Sequence, residues 1–268
     1  MKQITILALA LLLFTACKKE TEKIEETNIT VIDSDSVPKE AIAFAPKKYS
    51  KESKVGCRDT LCTYVRISVP EASGITAVSD SINNKLFHVA RSIVYFGEKP
   101  TKAKSYQELM DSFIKSYEEL RKDFSESFPW ESKVKATVDY QSDSIINVKV
   151  NSYMFTGGAH GYEGNRSLIF NAKTGRSLTY DNIFKDKKAF TAFAEKKFRA
   201  KYKIPAGKSI NITGLMFEND KFILPQNIFF TKDGLHLFYN PYEVGSFADG
   251  AKEILIPYSE ADAYLKVK

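Results

Sequence analysis

Between Phe124 and Val134 the apolar residues of this chain change their spacing, and no single kind of element accommodates both sides of the change. Upstream, Val78, Ile82, Leu86, Ala90 and Ile93 recur at helical spacing, in a run closed by Gly97 and Pro100. A second, longer stripe holds Tyr106, Leu109, Met110, Phe113, Tyr117, Leu120 and Phe124. Downstream, VKATVDY and IINVKVNSYMF alternate and are joined by Gln141-Ser142-Asp143-Ser144, which predicts a β-hairpin. TLCTYVRISVPEA, ahead of the helices, alternates in the same way, with Val65, Ile67 and Val69 on one face. Further on, RSLIFNAKTGRSLTY predicts another hairpin turning at Lys173-Thr174-Gly175. DKKAFTAFAEKKFRAKY predicts a third helix with Phe190, Phe193, Ala194 and Phe198 on one face. The last stretch reads as short strands about a Lys232-Asp233-Gly234 turn. The expected class is α+β, with helices packed on antiparallel sheets in two small consecutive subdomains, 46–155 and 156–268. A chain of 268 residues with 43% hydrophobic content can bury one large core or two modest ones.

The N-terminus has a different character. MKQITILALALLLFTAC opens with Lys2 and continues as an apolar run from Ile4 to Phe14. As a helix that run spans roughly 16 Å, against a hydrocarbon core of about 30 Å. Residues 1–16 therefore read as a signal peptide rather than a membrane span. Thr15-Ala16 followed by Cys17 resembles the lipobox of bacterial lipoproteins, although Phe14 stands where that family usually has Leu, Val or Ile. The resemblance implies a lipidated Cys17 and attachment to the bacterial membrane through that lipid. Residues 17–45 are polar and charged over most of their length and read as a flexible tether.

Charge and cysteines narrow the classes. A net charge of +6 permits anionic partners, but no dense basic patch or nucleic-acid reading motif accompanies it, so no nucleic-acid partner is expected. The basic side of the third predicted helix, Lys187, Lys188, Lys196, Lys197 and Arg199, fits a solvated face, or one that meets head groups or an acidic glycan. Cys57 and Cys62 in VGCRDTLCTYV suit a short loop closed by a disulfide in an oxidising compartment. A tetrahedral zinc site would need two more ligands, and no Cys or His lies nearby. No metal and no cofactor are expected.

The stretch TGGAHGYEGN is where a site is most readily sought. Gly157, Gly158 and Gly161 allow a sharp exit from a strand, and His160 either fixes the bend by a hydrogen bond or faces a ligand. As a binding loop it would add Tyr162 as a stacking platform, with Tyr239 and Tyr242 as further aromatic candidates. A catalytic reading lacks partners: there is no His-Glu-x-x-His pair and no Gly-x-Ser-x-Gly elbow. Glu163, Asp139 and Asp181 are available as carboxylates, but nothing in the sequence singles out a pair.

YMFTGGAHGYEGN, followed by NAKTGRSLTYDNIF, resembles the extracytoplasmic module DUF3298. CTYVRISVPEA with the first two helices resembles its companion DUF4163, and FYNPYEVGSFADGAKEILIPYSE is similar to the family's C-terminal strand pair. The resemblance spans roughly residues 55–262. It implies binding outside the cytoplasm, because related modules form the outer part of a lysozyme-binding anti-sigma factor and an N-terminal extension of peptidoglycan deacetylases. The transmembrane and sigma-binding segments of the former, and the deacetylase domain of the latter, are not expected here. The expected function is that of a non-enzymatic, lipid-anchored cell-envelope protein that binds peptidoglycan-like glycan or a lysozyme-like protein. A peptidoglycan-active enzyme with an unrecognised carboxylate pair, or a structural envelope protein, are the alternatives. Closing so short a loop, the Cys57–Cys62 bridge should contribute about 2 kcal/mol of stability. Mass spectrometry of exported protein should find both thiols oxidised, and two free thiols would remove the assignment.

Overall fold

The computed structural model describes residues 41–95, 97 and 101–268. The expected signal peptide 1–16, Cys17, the expected tether as far as residue 40, and Pro100 lie outside them. The described residues from 41 to 268 belong to one compact unit. A five-stranded sheet runs β1 (Ala43–Glu52), β2 (Tyr64–Ser73), β3 (Glu131–Gln141), β4 (Ile145–Phe155) and β5 (Tyr162–Asn171), in that spatial order. Helices α1 (Thr76–Val94) and α2 (Tyr106–Asp123) fall between β2 and β3. After β5 come the short α3 (Tyr180–Ile183), then α4 (Lys187–Lys201) and a second sheet of β6 (Asn227–Phe230), β7 (Gly234–Tyr239) and β8 (Lys252–Pro257). The fold is α+β.

One strand pair departs from the antiparallel expectation. β2 and β3 run parallel from Tyr64↔Glu131 to Ser68↔Lys135. A parallel neighbour needs a long crossover, and α1 with α2 supplies it. Both helices thereby pack on one face of the sheet, where Val78, Ile82, Leu86, Leu109, Phe113 and Tyr117 join Val65, Ile67, Val134 and Val148 in one core. Helix α2 starts at Ser105, whose side chain accepts from Glu108 N while Glu108 Oε2 accepts from Lys104 N at 2.8 Å. Its expected stripe stops short of Phe124, which is 62% exposed past the helix end.

The opposite face is shared. At its β4–β5 end Ile145 and Ile169 join a second core with Phe184, Phe190, Phe198, Ile228, Phe230 and Tyr239. Ile146, Val148, Leu168 and Phe170, on the other face, belong to the first. β4 is therefore buried on both sides where it begins, which is why IINV is almost continuously apolar. Asn147 interrupts that run, is fully buried, and holds the layers together. Its Oδ1 accepts from Phe230 N at 2.7 Å, and its Nδ2 donates to Ser167 Oγ at 2.9 Å and Leu168 O at 3.1 Å.

β1 begins at Ala43, inside the span expected to be tether. Pro46 and Lys47, Lys48 and Lys51 hide it from a pattern search, yet they suit an outermost strand. Pro46 faces Pro70, a pair that cannot exchange hydrogen bonds, and Pro70 lies beyond the residues of β2 that pair with β3. Cys57 and Cys62 are bonded in the β1–β2 loop, with reciprocal Arg58–Leu61 backbone bonds of 2.9 Å. Tyr117 reaches over from α2 to donate to Gly56 O at 3.0 Å.

The glycine-rich stretch, residues 156–161, closes the β4–β5 hairpin. The turn at Lys173–Gly175 is also present, but its return arm is a single bridge, Phe170↔Ser177, because Thr179 immediately caps α3. Replacing Asn147 by Ala would leave Phe230 N buried without a partner and would remove both side-chain bonds to β5. The expected loss is about 3 kcal/mol in urea unfolding, and a loss under about 1 kcal/mol would show that the layers do not depend on this amide.

Candidate functional site

The outer edge of β5 is covered mainly by side chains and loops rather than by another strand. Asn165 N donates to Asn240 Oδ1 at 2.7 Å and Asn165 O accepts from Asn240 Nδ2 at 2.9 Å, so one side-chain amide reproduces a strand's donor and acceptor. Ser167 N donates to Asn227 Oδ1 at 2.9 Å, and Ile169 O accepts from Leu178 N at 2.7 Å. Asn227 opens β6 and Asn240 follows β7, so the second sheet approaches β5 through its ends. Between them and the end of α1 lies a polar cleft of about 380 Å³, toward the small end of ligand sites, which run from ~300 to 1,000 Å³. Ile93, Arg166, Gln226, Asn227, Asn240 and Tyr162 line it.

The turn holding Asn240 is itself pinned. Glu243 N donates to Asn240 O at 3.0 Å, closing the turn Asn240-Pro241-Tyr242-Glu243. Proline in the second position and positive φ in the third make it type II, and the third residue is Tyr242, with φ +70°. A bulky residue there is strained. The Glu243 carboxylate accepts from Gln226 N at 2.6 Å and Asn240 N at 2.9 Å. Burial nevertheless holds its carboxyl above the usual range, with those two N–H groups working against the shift.

That strained turn aims Tyr242 outward into a row of rings. His160 stacks on Phe247 with centroids 4.0 Å apart and planes at 12°. Phe247 lies 5.6 Å from Tyr242, and Tyr242 lies 6.4 Å from Tyr162 with planes at 23°. Tyr162, Tyr242 and Phe247 are exposed by 42%, 59% and 37%, and Tyr162 is also a wall of the cleft. The hairpin loop thus meets the segment after β7, and His160, Tyr162 and Tyr242 come together across some eighty residues of sequence.

The glycines serve this row in two ways. Gly157 and Gly158 have φ of +108° and +91°, with open space where a side chain would be. Gly161 has ordinary φ but lies against Tyr153, whose ring would be 2.5 Å from an added Cβ. His160 Nδ1–H donates to Gly161 O at 2.9 Å, a bond within the loop. Tyr239 is not part of the row. It is fully buried beside Phe198, Phe217 and Phe222 and donates to Ile223 O at 2.6 Å, and burial pushes its hydroxyl far above the usual tyrosine range. Phe247 escapes sequence reasoning because its neighbours SFADG mark a loop and nothing in that loop points to His160.

The carboxylates disperse. Glu163 pairs in register with Tyr153, whereas Asp139 sits beside Val138, which pairs with Val148. Five residues of strand separate them by roughly 17 Å, more than the ~5–9.5 Å between the two carboxylates of glycosidases. Asp181 forms an ion pair with Lys187 at 2.9 Å. Among the described residues no three His, Cys, Asp or Glu side chains cluster so as to hold a metal ion.

Comparison with known proteins fits this architecture. Residues 181–259 match the DUF3298 family model, a protein family of unknown function, and residues 57–163 match a model described as Deacetylase PdaC. The glycine-rich stretch therefore falls in the second match and not in the DUF3298 match. A crystal structure of a DUF3298 member from Bacteroides fragilis NCTC 9343 superposes with a TM-score of 0.66 at 22% identity, covering 84% of this chain and 94% of that one. A DUF3298 family protein from Pseudomonas aeruginosa PAO1 gives 0.58 at 20% identity, covering 83% and 94%. The fold is that of DUF3298 proteins. No curated protein matches the chain.

If Tyr242 is held in place against a backbone cost, Tyr242→Gly should stabilise the protein by about 1 kcal/mol while removing the ring. Thermal or urea unfolding reads this directly, and destabilisation would mean that the turn does not carry the strain.

Proposed function

We propose that this chain is a cell-envelope protein, lipid-anchored through Cys17, that binds a glycan of the peptidoglycan type along the row His160, Phe247, Tyr242 and Tyr162. The observation that carries the reading is the exposed row itself, ending at a cleft lined with amides and one arginine. A sugar has apolar C–H faces and a rim of hydroxyls. Rings take the faces, while amides such as Gln226 and Asn240 and the Arg166 guanidinium suit hydroxyls and acidic substituents. Strain retained at Tyr242 supports a functional use of that ring. The signal-like N-terminus, the disulfide and the partial matches to DUF3298 and to Deacetylase PdaC support the envelope as its place.

The test is calorimetric titration of the full chain in non-ionic detergent with N-acetylglucosamine oligomers, muropeptides and lysozyme. Sugar binding should weaken about tenfold in Tyr162→Ala and in Tyr242→Ala, or roughly 1.4 kcal/mol each. Unchanged affinity in both variants would end the assignment. Lysozyme binding alone, lost in the same variants, would convert the row into a protein-docking site. Release of soluble muropeptides would instead identify an enzyme.

A further inference from the structure

The sheet face opposite α1 and α2 is covered by the second layer only toward the β4–β5 end, where Ile145 and Ile169 are buried. Elsewhere its residues follow from register. One row across the strands is Lys48, Ser68, Lys135, Asn151, and the next is Ser50, Arg66, Lys133, Tyr153. Alternate residues of β2 and β3, Val65, Ile67 and Val134, turn toward the helices, so the polar rows share the other face. Lys48, Arg66, Lys133 and Lys135 are all exposed. Strand spacing and rise place neighbouring cations on the order of 5 to 10 Å apart. They border a shallow hollow of about 440 Å³, with the hydroxyls of Ser50 and Ser68 among them.

The charges are poorly compensated. Among the described residues no carboxylate forms an ion pair with Lys48, Arg66 or Lys135, and Lys133 has only Glu131 at 3.3 Å. Arg66 and Lys133 stand directly opposite each other in register, where like charges destabilise a sheet. A polyanion would relieve that repulsion.

We propose that this face binds a linear acidic polysaccharide laid across β1, β2 and β3. Charge complementarity selects an anion, and successive cations on three strands select a chain over a single ion. Two observations favour a polysaccharide over other polyanions. Tyr64, beside Arg66 and Lys133, is only 7% exposed and carries both cations, at 4.3 and 5.3 Å, and Tyr153, at the end of the second row, is covered by the same lysine at 5.1 Å, so neither ring is open to a nucleobase. Among the described residues none of the exposed large hydrophobic side chains lies on this face, which offers a bilayer no side chain to receive. The proposal is independent of the ring row, which lies on other residues.

Binding of the full chain to polygalacturonate, followed by fluorescence anisotropy, tests it. Affinity should fall at least about tenfold between roughly 50 and 200 mM salt. The variant combining Lys48→Gln, Arg66→Gln, Lys133→Gln and Lys135→Gln should lose at least tenfold at the lower salt. A control combining Lys122→Gln, Lys173→Gln, Lys208→Gln and Lys232→Gln, on α2 and in the loops after β5, α4 and β6 and equally exposed, should lose less than twofold. Circular dichroism checks that both variants are folded, and binding of a neutral N-acetylglucosamine oligomer should be the same in both. No binding to polygalacturonate overturns the proposal, as do equal losses in the two variants, which would reduce the effect to net charge. Binding of single-stranded DNA or of phosphatidylglycerol vesicles in preference to polygalacturonate, lost in the first variant, would also overturn it by assigning the face to another partner.

Discussion

A single buried side-chain amide, Asn147, sits where every layer of this protein meets. The β4 strand carrying it must face the helices on one side and the second core on the other, so its flanks are apolar. An amide in such surroundings is costly unless satisfied, and its three bonds tie together β4, β5 and β6. Asn227 and Asn240 extend the same solution along the edge of β5. A continuous sheet would have fixed the second layer by backbone pairing alone. Side-chain amides instead hold it by its ends, and the gap they leave is the cleft.

Some of this organisation was plain in the sequence. The β3–β4 hairpin, both long helices, α4 and the C-terminal strands follow from spacing, because each buries a face with its own period. β1 does not, since a strand on the sheet's margin needs few apolar residues and tolerates Pro46 and its lysines. The parallel pairing of β2 and β3 is a property of the crossover rather than of either strand, so alternation cannot reveal it. Within the site, His160, Tyr162 and Tyr242 stood out because glycines and a proline-containing turn surround them, whereas Phe247 needed the folded chain. Tyr239 shows the opposite limit: as an aromatic near the C-terminal strands it is a ligand-binding candidate, but it ends a strand whose alternate side chains Leu235, Leu237 and Tyr239 are buried in the second core.

The energetic arrangement around the rings is asymmetric. The segment under Tyr242 is anchored by Glu243 through two backbone N–H groups, and the carboxyl is held there despite the cost of burying it. Because its folded-state pKa is raised, the contribution of that carboxyl to stability is fully present below the unfolded value and is lost as pH rises through the folded one. Asp249 works in the other direction. Hydrogen bonds from the Ser246 hydroxyl and backbone N–H lower its carboxyl, so its contribution is present above the unfolded pKa and fades on acidification. The loops on either side of Phe247 therefore respond to acid with opposite signs.

β5 is sealed by amides, but β1 leaves the other margin of the five-stranded sheet without a partner strand among the described residues. Such a margin would ordinarily invite another chain to add a strand. Pro46 offers no donor there, and Lys47, Lys48 and Lys51 would meet their own counterparts in a second copy. The same residues that hide β1 from a pattern search thus guard against self-association, so copies at high concentration should not join through this margin.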